Sequence, residues 1–473
     1  MNLLFLVLAG LLAADGGDVS GVVLGEYREV VVVPDSGGQM VAVAVRFPAG
    51  SAEDPIGQEG AAFALGRLLE VEAGAALAPL GARISVDVRP DEFLVTITSR
   101  ADRWREAAEI WIAHLHDGAL SAAAFEQVQS HALEQLRFEE GAPVRGFERE
   151  RATLLRGASH RAARPVGGST SSVGSLTFGE LEGFRSDHLV RSAATVAVVG
   201  PVDEGEVSAV LPGPLRKVAL DGRWIDPEPE AESRPEPVIP ENGNDDGVEG
   251  DSERVEETSA PRTAAEHPPA PRMALFRSSE AGAMGLPTTP AGPPAWSQGD
   301  RTVVDRDLTS TWIAVAFPFP LGTSPVLLEF LAHLALEELT PSPPDPGLYE
   351  AEVSVEWVNR APVLLVSASV DPRITTRWED RLVGVMETLE VGAPTGAFFE
   401  LTRRRFRSGL FLELSVPEAR ARWVTRQSVL EGGAVSSLER EVWSFDPEGV
   451  SEAAATAGPP RVLLFGPRQM MDR

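Results

Sequence analysis

The 473-residue chain has no cysteine. Disulfides are excluded, as are thiolate zinc sites and a lipid anchor on an N-terminal Cys. Lysine is nearly missing as well. Lys217 stands alone and every other basic side chain is Arg, which together with abundant Ala and Gly points to a GC-rich genome rather than to a function. Positive charge is in deficit, with 42 Lys and Arg against 70 Asp and Glu and a net charge of −28. Nucleic acid is therefore excluded as an expected partner, because phosphate binding needs a basic face. Long apolar runs are absent except at the start, where MNLLFLVLAGLLAADGG closes on Ala13-Ala14. That run has the length of a signal-peptide core and is too short to span a bilayer. Residues 1–17 are expected to be a signal peptide and the mature chain to be exported with no membrane span. An exported protein without disulfides fits a bacterial periplasm.

What is present is enough chain for two or three domains, with an ordinary hydrophobic content of 43%. From Asp226 to His267 the sequence is rich in Pro, Glu, Asp, Ser and Gly and nearly free of large apolar residues. Such a stretch cannot bury enough surface to offset the entropy of ordering it. Residues 222–300 are read as an acidic, Pro-rich, self-repelling linker, expected to be disordered. It separates an N-terminal domain, 18–221, from a C-terminal domain, 301–473.

The two flanks repeat each other. Phe47-Pro48-Ala49-Gly50-Ser51 returns as Phe319-Pro320-Leu321-Gly322-Thr323, offset by 272 residues. Phe125-Glu126 returns as Phe399-Glu400 and Pro143 as Pro417, both offset by 274. Phe178 returns as Phe445, and Val196–Pro201 as Val462–Pro467. Matches in one order near one offset indicate internal duplication.

Apolar runs at 28–33, 41–47, 83–88 and 92–99 predict strands. A helix is expected from Asp102 or Arg103, a second capped by Ser121, a third over about 144–157, and a fourth after the Leu176-Thr177-Phe178 cap, before a closing strand at 195–200. Strands first, helices later and one returning strand argue an α+β fold: two homologous domains, each a mostly antiparallel sheet with helices packed on one face.

Residues 41–70 read VAVAVRFPAGSAEDPIGQEGAAFALGRLLE. A strand ends in Phe47-Pro48-Ala49-Gly50-Ser51, an Asp54-Pro55 turn follows, and Gly60-Ala61-Ala62 opens an amphipathic helix. This phrase resembles the pitrilysin/insulinase family of inverted zincins. There the helix carries H-x-x-E-H, two His holding zinc and the Glu acting as base. The resemblance covers about 20–218 and 300–473. It implies a subunit of two homologous domains that closes a peptide-holding chamber with a second subunit. Here the ligand and base slots hold Phe63, Gly66 and Arg67. Phe63 has no lone pair, Arg67 is permanently cationic and repels a dication, and Gly66 cannot take a proton. Glu134 stands where the family places its third ligand and is the candidate relic of it; a solvated helix position is an equal reading. Zinc is expected to be absent. Replacing Gly66 should favour the helix by up to about 1 kcal/mol, and restoring His, Glu and His would be expected to give weak zinc binding with Glu134.

Other candidates are weaker. His114 and His116 sit two apart on one helix and cannot converge on a metal; one is expected half-buried and one exposed. His131 with Glu134, and His333 with Glu337, share helix faces but read as structural or surface pairs. The Ser-rich stretch 167–175 lacks a nucleophile elbow and reads as a Gly-rich loop rather than a phosphate cradle. Tyr349 loosely matches a substrate-holding Tyr of the family's second domain, and no Arg lies in 322–348 to accompany it. The expectation is a non-catalytic subunit that completes the chamber of a zinc-bearing homologous partner and binds peptides. The alternatives are an independent exported peptide-binding or scaffold protein, and a metallopeptidase with a relocated site.

Overall fold

Valine-rich segments dominate the centre of the first half, and β-branched residues favour the pleated, half-buried backbone of a sheet. The computed structural model describes residues 26–118, 120–218, 224–225, 300–340, 345–358, 361–392, 396–430 and 438–467. Residues 1–17 and almost all of the expected linker 222–300, with the 221/222 domain boundary, lie outside the described residues.

The first half contains β1 (Glu29–Pro34), β2 (Met40–Phe47), β3 (Arg83–Val88), β4 (Phe93–Arg100), β5 (Thr195–Gly200), β6 (Leu215–Val218) and β7 (Trp224–Ile225). Its helices are α1 (Ala61–Leu77), α2 (Trp104–His116), α3 (Ala122–Glu139), α4 (Pro143–Arg156), α5 (Thr170–Ser175), α6 (Phe178–His188) and α7 (Glu204–Val210). The second half contains β8 (Arg301–Asp305), β9 (Thr311–Pro318), β10 (Leu348–Val358), β11 (Ala361–Val370) and β12 (Arg461–Gly466). Its helices are α8 (Pro325–Leu339), α9 (Thr375–Val383), α10 (Val385–Gly392), α11 (Gly396–Leu414), α12 (Pro417–Leu430), α13 (Leu438–Ser444) and α14 (Pro447–Ala455).

Local signals place several boundaries. Ser121 caps α3 by accepting from the Ala124 amide at 3.3 Å, and Thr177 forms a capping box with Glu180 at the start of α6. Pro143 and Pro417 each open a helix at its first position, where the missing amide hydrogen is not needed.

The first sheet runs β3-β4-β2-β5-β1-β6-β7 and the second β10-β11-β9-β12-β8. Replacing each strand of the order β3-β4-β2-β5-β1 by its second-half counterpart yields the second order, so the duplication holds at the level of topology. Pairing is antiparallel except for β1 with β5 and β6 and for β8 with β12. Gly200 and Gly466, ending the matched strands β5 and β12, make the same close approach. A Cβ would lie 2.6 Å from the Met40 carbonyl oxygen at Gly200, where φ is +146°, and 3.0 Å from that of Ser310 at Gly466.

Helices α1, α2, α3 and α6 cover one face of the first sheet, packing Leu65, Leu68, Trp111, Phe125 and Phe184 against Val43, Val45 and Val196. In the second half Phe330, Leu331, Trp378 and Phe399 pack against Ile313, Val315 and Leu364. The opposite face of each sheet is also covered, by one helix from the other half. Ala421 and Val424 of α12 sit on Val31, Ala42, Ala44, Ala197 and Val199 of the first sheet. Arg422 fixes the contact with bonds to Thr96 at 3.0 Å and Ser85 at 2.8 Å. Reciprocally, Phe147, Leu154 and Leu155 of α4 sit on Ala314, Ala316, Val363 and Phe465. The expected architecture of helices on one face thus gains a second layer. Burial on both faces is why β5 is buried at every position rather than at alternate ones. Both sheets belong to one compact unit.

Candidate functional site

The Asp54-Pro55 turn, read from sequence as a turn alone, anchors the helix that would carry a zinc motif. Asp54 is fully buried, and its carboxylate accepts from the Gly60 amide at 2.7 Å and the Ala62 amide at 2.9 Å. It therefore caps α1 from outside, while Gly60 takes the left-handed conformation with φ +99°. Burial pushes the Asp54 pKa up to about 7 against the two amide bonds, which lower it. Gly167 and Gly168 clasp the same helix start, since a Cβ on Gly168 would lie 2.1 Å from the Glu59 carbonyl oxygen. Residues 170–175, read from sequence as loop, form a short helix closed by a capping box between Ser169 and Ser172.

On α1 the three degenerate positions are occupied by packing. The Arg67 guanidinium lies 5.0 Å from the centre of the Phe63 ring and pairs with Glu70 at 2.6 Å. Glu70 also accepts from the Val86 amide at 2.8 Å, tying α1 to the edge strand β3. Gly66 is buried, and a Cβ there would meet Val86 Cγ1 at 3.0 Å and Val88 Cγ2 at 3.1 Å. The helix gain expected from replacing Gly66 is therefore opposed by a contact the sequence does not show: the glycine lets β3 approach α1, and a larger side chain would press on two valines. Glu134 is exposed on α3, as is His131. Among the described residues no group of three or more His, Asp or Glu is arranged to hold a metal ion.

His114, His116 and His333 make structural contacts. Both His114 and His116 are half-buried, against the expectation that one is exposed. His114 bonds the Ile110 carbonyl at 2.8 Å. His116 uses both nitrogens, Nδ1 to the Leu189 carbonyl and Nε2 to the Tyr27 hydroxyl, each at 3.1 Å. The N-terminal approach to β1 and the end of α6 close over it, so burial pulls its pKa down to about 3, aided by Arg191. His116 is thus neutral, with Nδ1 donating to the carbonyl and Nε2 accepting from the hydroxyl. His333 lies 3.7 Å from Glu337, whose carboxylate also accepts from Thr402 at 2.6 Å. Tyr349 is 61% exposed, in a bulge where the edge strand β10 begins.

A feature that sequence reading did not find lies beside these positions. A cleft of about 950 Å³ is lined by the end of α3, the length of α4, the loop after β3, the 162–170 segment, and residues of the second half that include Arg306, Glu356 and Arg426. It is assembled from segments hundreds of residues apart, and no local pattern announces it.

No protein-family model matches the sequence, and no curated protein matches it. Solved structures do match the fold. A protease from Helicobacter pylori superposes with a TM-score of 0.68 at 15% identity, over 94% of this chain and 98% of that one. The chain has the M16 peptidase fold. An inactive M16 peptidase domain from Pseudomonas fluorescens matches with a TM-score of 0.61 at 13% identity, over 92% of this chain and 95% of that one. The periplasmic protease PqqL from Escherichia coli matches with a TM-score of 0.63 at 9% identity, over 92% of this chain but 44% of its own length. M16-like peptidases are the pitrilysin-type relatives that the 41–70 phrase resembles, and the M16 frame is present here with Phe63, Gly66 and Arg67 on its motif helix.

Proposed function

We propose that this chain is a non-catalytic M16-fold subunit that completes the peptide chamber of a separate, zinc-bearing homologous subunit. The observation that carries the reading is Gly66 wedged against Val86 and Val88. The slot of the catalytic base holds a glycine closely approached by two valines, and the flanking slots hold an aromatic–cation pair instead of two imidazoles. A motif helix without either imidazole and without its base supports a role other than catalysis. Length is compatible with pairing: the chain matches 44% of PqqL, as one half of a longer fused protein would, while it spans 98% of the Helicobacter pylori protease. The inactive Pseudomonas domain is a precedent for the fold without activity. The exported reading rests on the sequence of residues 1–17 and accords with a neighbour described as periplasmic.

The test is affinity purification of the tagged full-length chain from its native host, with metal analysis of the isolated protein. Recovery of an H-x-x-E-H homologue in near-equal amount, and less than a tenth of a zinc per chain, roughly, is expected. About one tightly held zinc with chelator-sensitive peptide cleavage by the isolated chain would sink the reading. Peptide binding with no copurifying homologue would favour the independent scaffold instead.

A further inference from the structure

The cleft concentrates positive charge in an acidic protein. Nine Arg and six Asp or Glu line it, although the chain as a whole carries −28. Much of its wall is internally matched: Arg151 pairs with Glu148 at 2.6 Å, Arg164 with Glu59 at 3.4 Å, and Arg145 with Glu139. Three guanidiniums are not so well served. Arg46, in β2, gives Nε to Glu92 at 2.7 Å, but its Nη1 is buried with no hydrogen-bond partner among the described residues. Arg89 is better matched, giving Nε to Asp87 at 3.1 Å, with Glu92 and Glu356 also favouring its charge. Arg156, the last residue of α4, and Arg426, in α12, have no hydrogen bond or ion pair among the described residues.

Arg426 feels the charges of Arg89 and Arg46. Burial lowers the Arg426 pKa, Arg89 and Arg46 lower it further, and Glu92 and Glu329 oppose them. Burial likewise lowers that of Arg156, opposed by Asp91 and Glu356. Asp91 and Glu329 are exposed, and neither makes an ion pair with Arg156 or Arg426 among the described residues. A half-buried guanidinium left without a carboxylate is costly unless an anion supplies the missing hydrogen bonds, and its planar fork fits a carboxylate in two-point contact. The volume suits a peptide segment. The surplus over the wall is three charges, and Glu140, Glu148 and Glu356 share the same wall. A polyphosphate or a nucleic acid would meet those acids; one carboxylate would not overload the site.

We propose that this cleft binds a carboxylate-bearing peptide segment, with Arg46, Arg156 and Arg426 as its anchors. The carboxylate is either a free C-terminus or an Asp or Glu side chain. Arg46 and Arg156 come from the first half and Arg426 from the second, so the site exists only in the assembled chain. It does not depend on a zinc-bearing partner, and its failure would leave the pairing proposal standing.

The experiment uses the full chain and a fluorescent ten-residue Ala/Gly/Ser peptide in three forms: free C-terminus, amidated with two central Glu, and amidated without acids. At least one carboxylate form should bind about tenfold or more tightly than the neutral control, and which one does so identifies the source. Arg156→Gln and Arg426→Gln should each weaken that binding by about tenfold. Each should leave the thermal midpoint unchanged or higher, since an unmatched cation is removed. Free glutarate should displace the peptide from the unaltered protein, a check that needs no variant. Equal binding of all three peptides, no binding of any, failure of glutarate to compete, or full binding by both folded variants would overturn the proposal.

Discussion

Gly66→Ala tests whether the motif helix has been remodelled rather than merely stripped. In an ordinary helix interior this change is stabilising by about 1 kcal/mol, because Ala has less backbone entropy to lose. Here the new methyl would sit 3.0 Å from Val86 Cγ1 and 3.1 Å from Val88 Cγ2, inside the roughly 3.5–4.0 Å at which carbon atoms attract best. Overpacking of this kind costs about 1–3 kcal/mol. The balance is a net loss of about 1 kcal/mol, opposite in sign to the propensity effect. Val86→Ala alone should cost about 1 kcal/mol on this half-exposed edge strand. It also removes the nearer of the two clashes and leaves only the Val88 contact, so Gly66→Ala made in that background should be close to neutral, a coupling of about 1 kcal/mol. Urea denaturation followed by Trp fluorescence, with midpoints compared at constant slope, measures all four corners of the cycle. A gain of about 0.5 kcal/mol or more from Gly66→Ala alone would refute the reasoning, as it would show that β3 yields freely.

Restoring Phe63→His, Gly66→Glu and Arg67→His together should give a protein less stable than the original and without efficient peptide cleavage; brisk zinc-dependent turnover would show that the rest of the catalytic apparatus is intact. His116, held neutral with a pKa near 3, should make stability acid-sensitive. Its contribution is full above the unfolded pKa of about 6.5 and is lost as the pH falls from there toward 3, by up to a few kcal/mol at about 1.4 kcal/mol per unit. A His116→Gln variant should lose that part of the slope, and identical pH profiles for the two proteins would count against it. Brief proteolysis should cut within 222–300, and the two fragments should then co-elute by size exclusion, because α4 and α12 each lie on the other half's sheet; separation of the fragments on nicking would contradict the exchange. Arg422→Ala, which removes bonds to Thr96 and Ser85, should lower stability by about 1–3 kcal/mol, read as a shifted urea midpoint; no shift would mean that apolar contacts alone hold α12.

The strands, the caps at Ser121 and Thr177, and the duplication were legible in the sequence because each depends on neighbours within a few residues or on repetition of a pattern. The loss of the zinc motif was legible too, since it is a statement about side-chain chemistry. What could not be read was contact across sequence distance. Gly66 looks like decay in a one-dimensional reading; only the approach of Val86 and Val88 reveals it as a fitted position. Asp54 looks like half of a turn until its carboxylate is seen to cap a helix that starts seven residues later. The second layer on each sheet left one trace, the unbroken apolar run of β1 and β5, which one-sided packing does not require. The arginine cleft left none, because its residues come from both halves.

The exchange of α4 and α12 bears on where such a chain comes from. Both helices open on prolines at matched positions of the repeat, Pro143 and Pro417. A polypeptide of half the length would own a sheet with one bare face and a helix with nowhere to lie. Two copies would satisfy each other by trading that helix, which is a swapped homodimer with self-complementary contacts. Joining the copies through a spacer turns an encounter between molecules into an event within one, and frees each half to diverge. The unequal fates of the two halves, with an arginine cleft drawing unlike residues from each, are open to a fused pair and closed to a symmetric one.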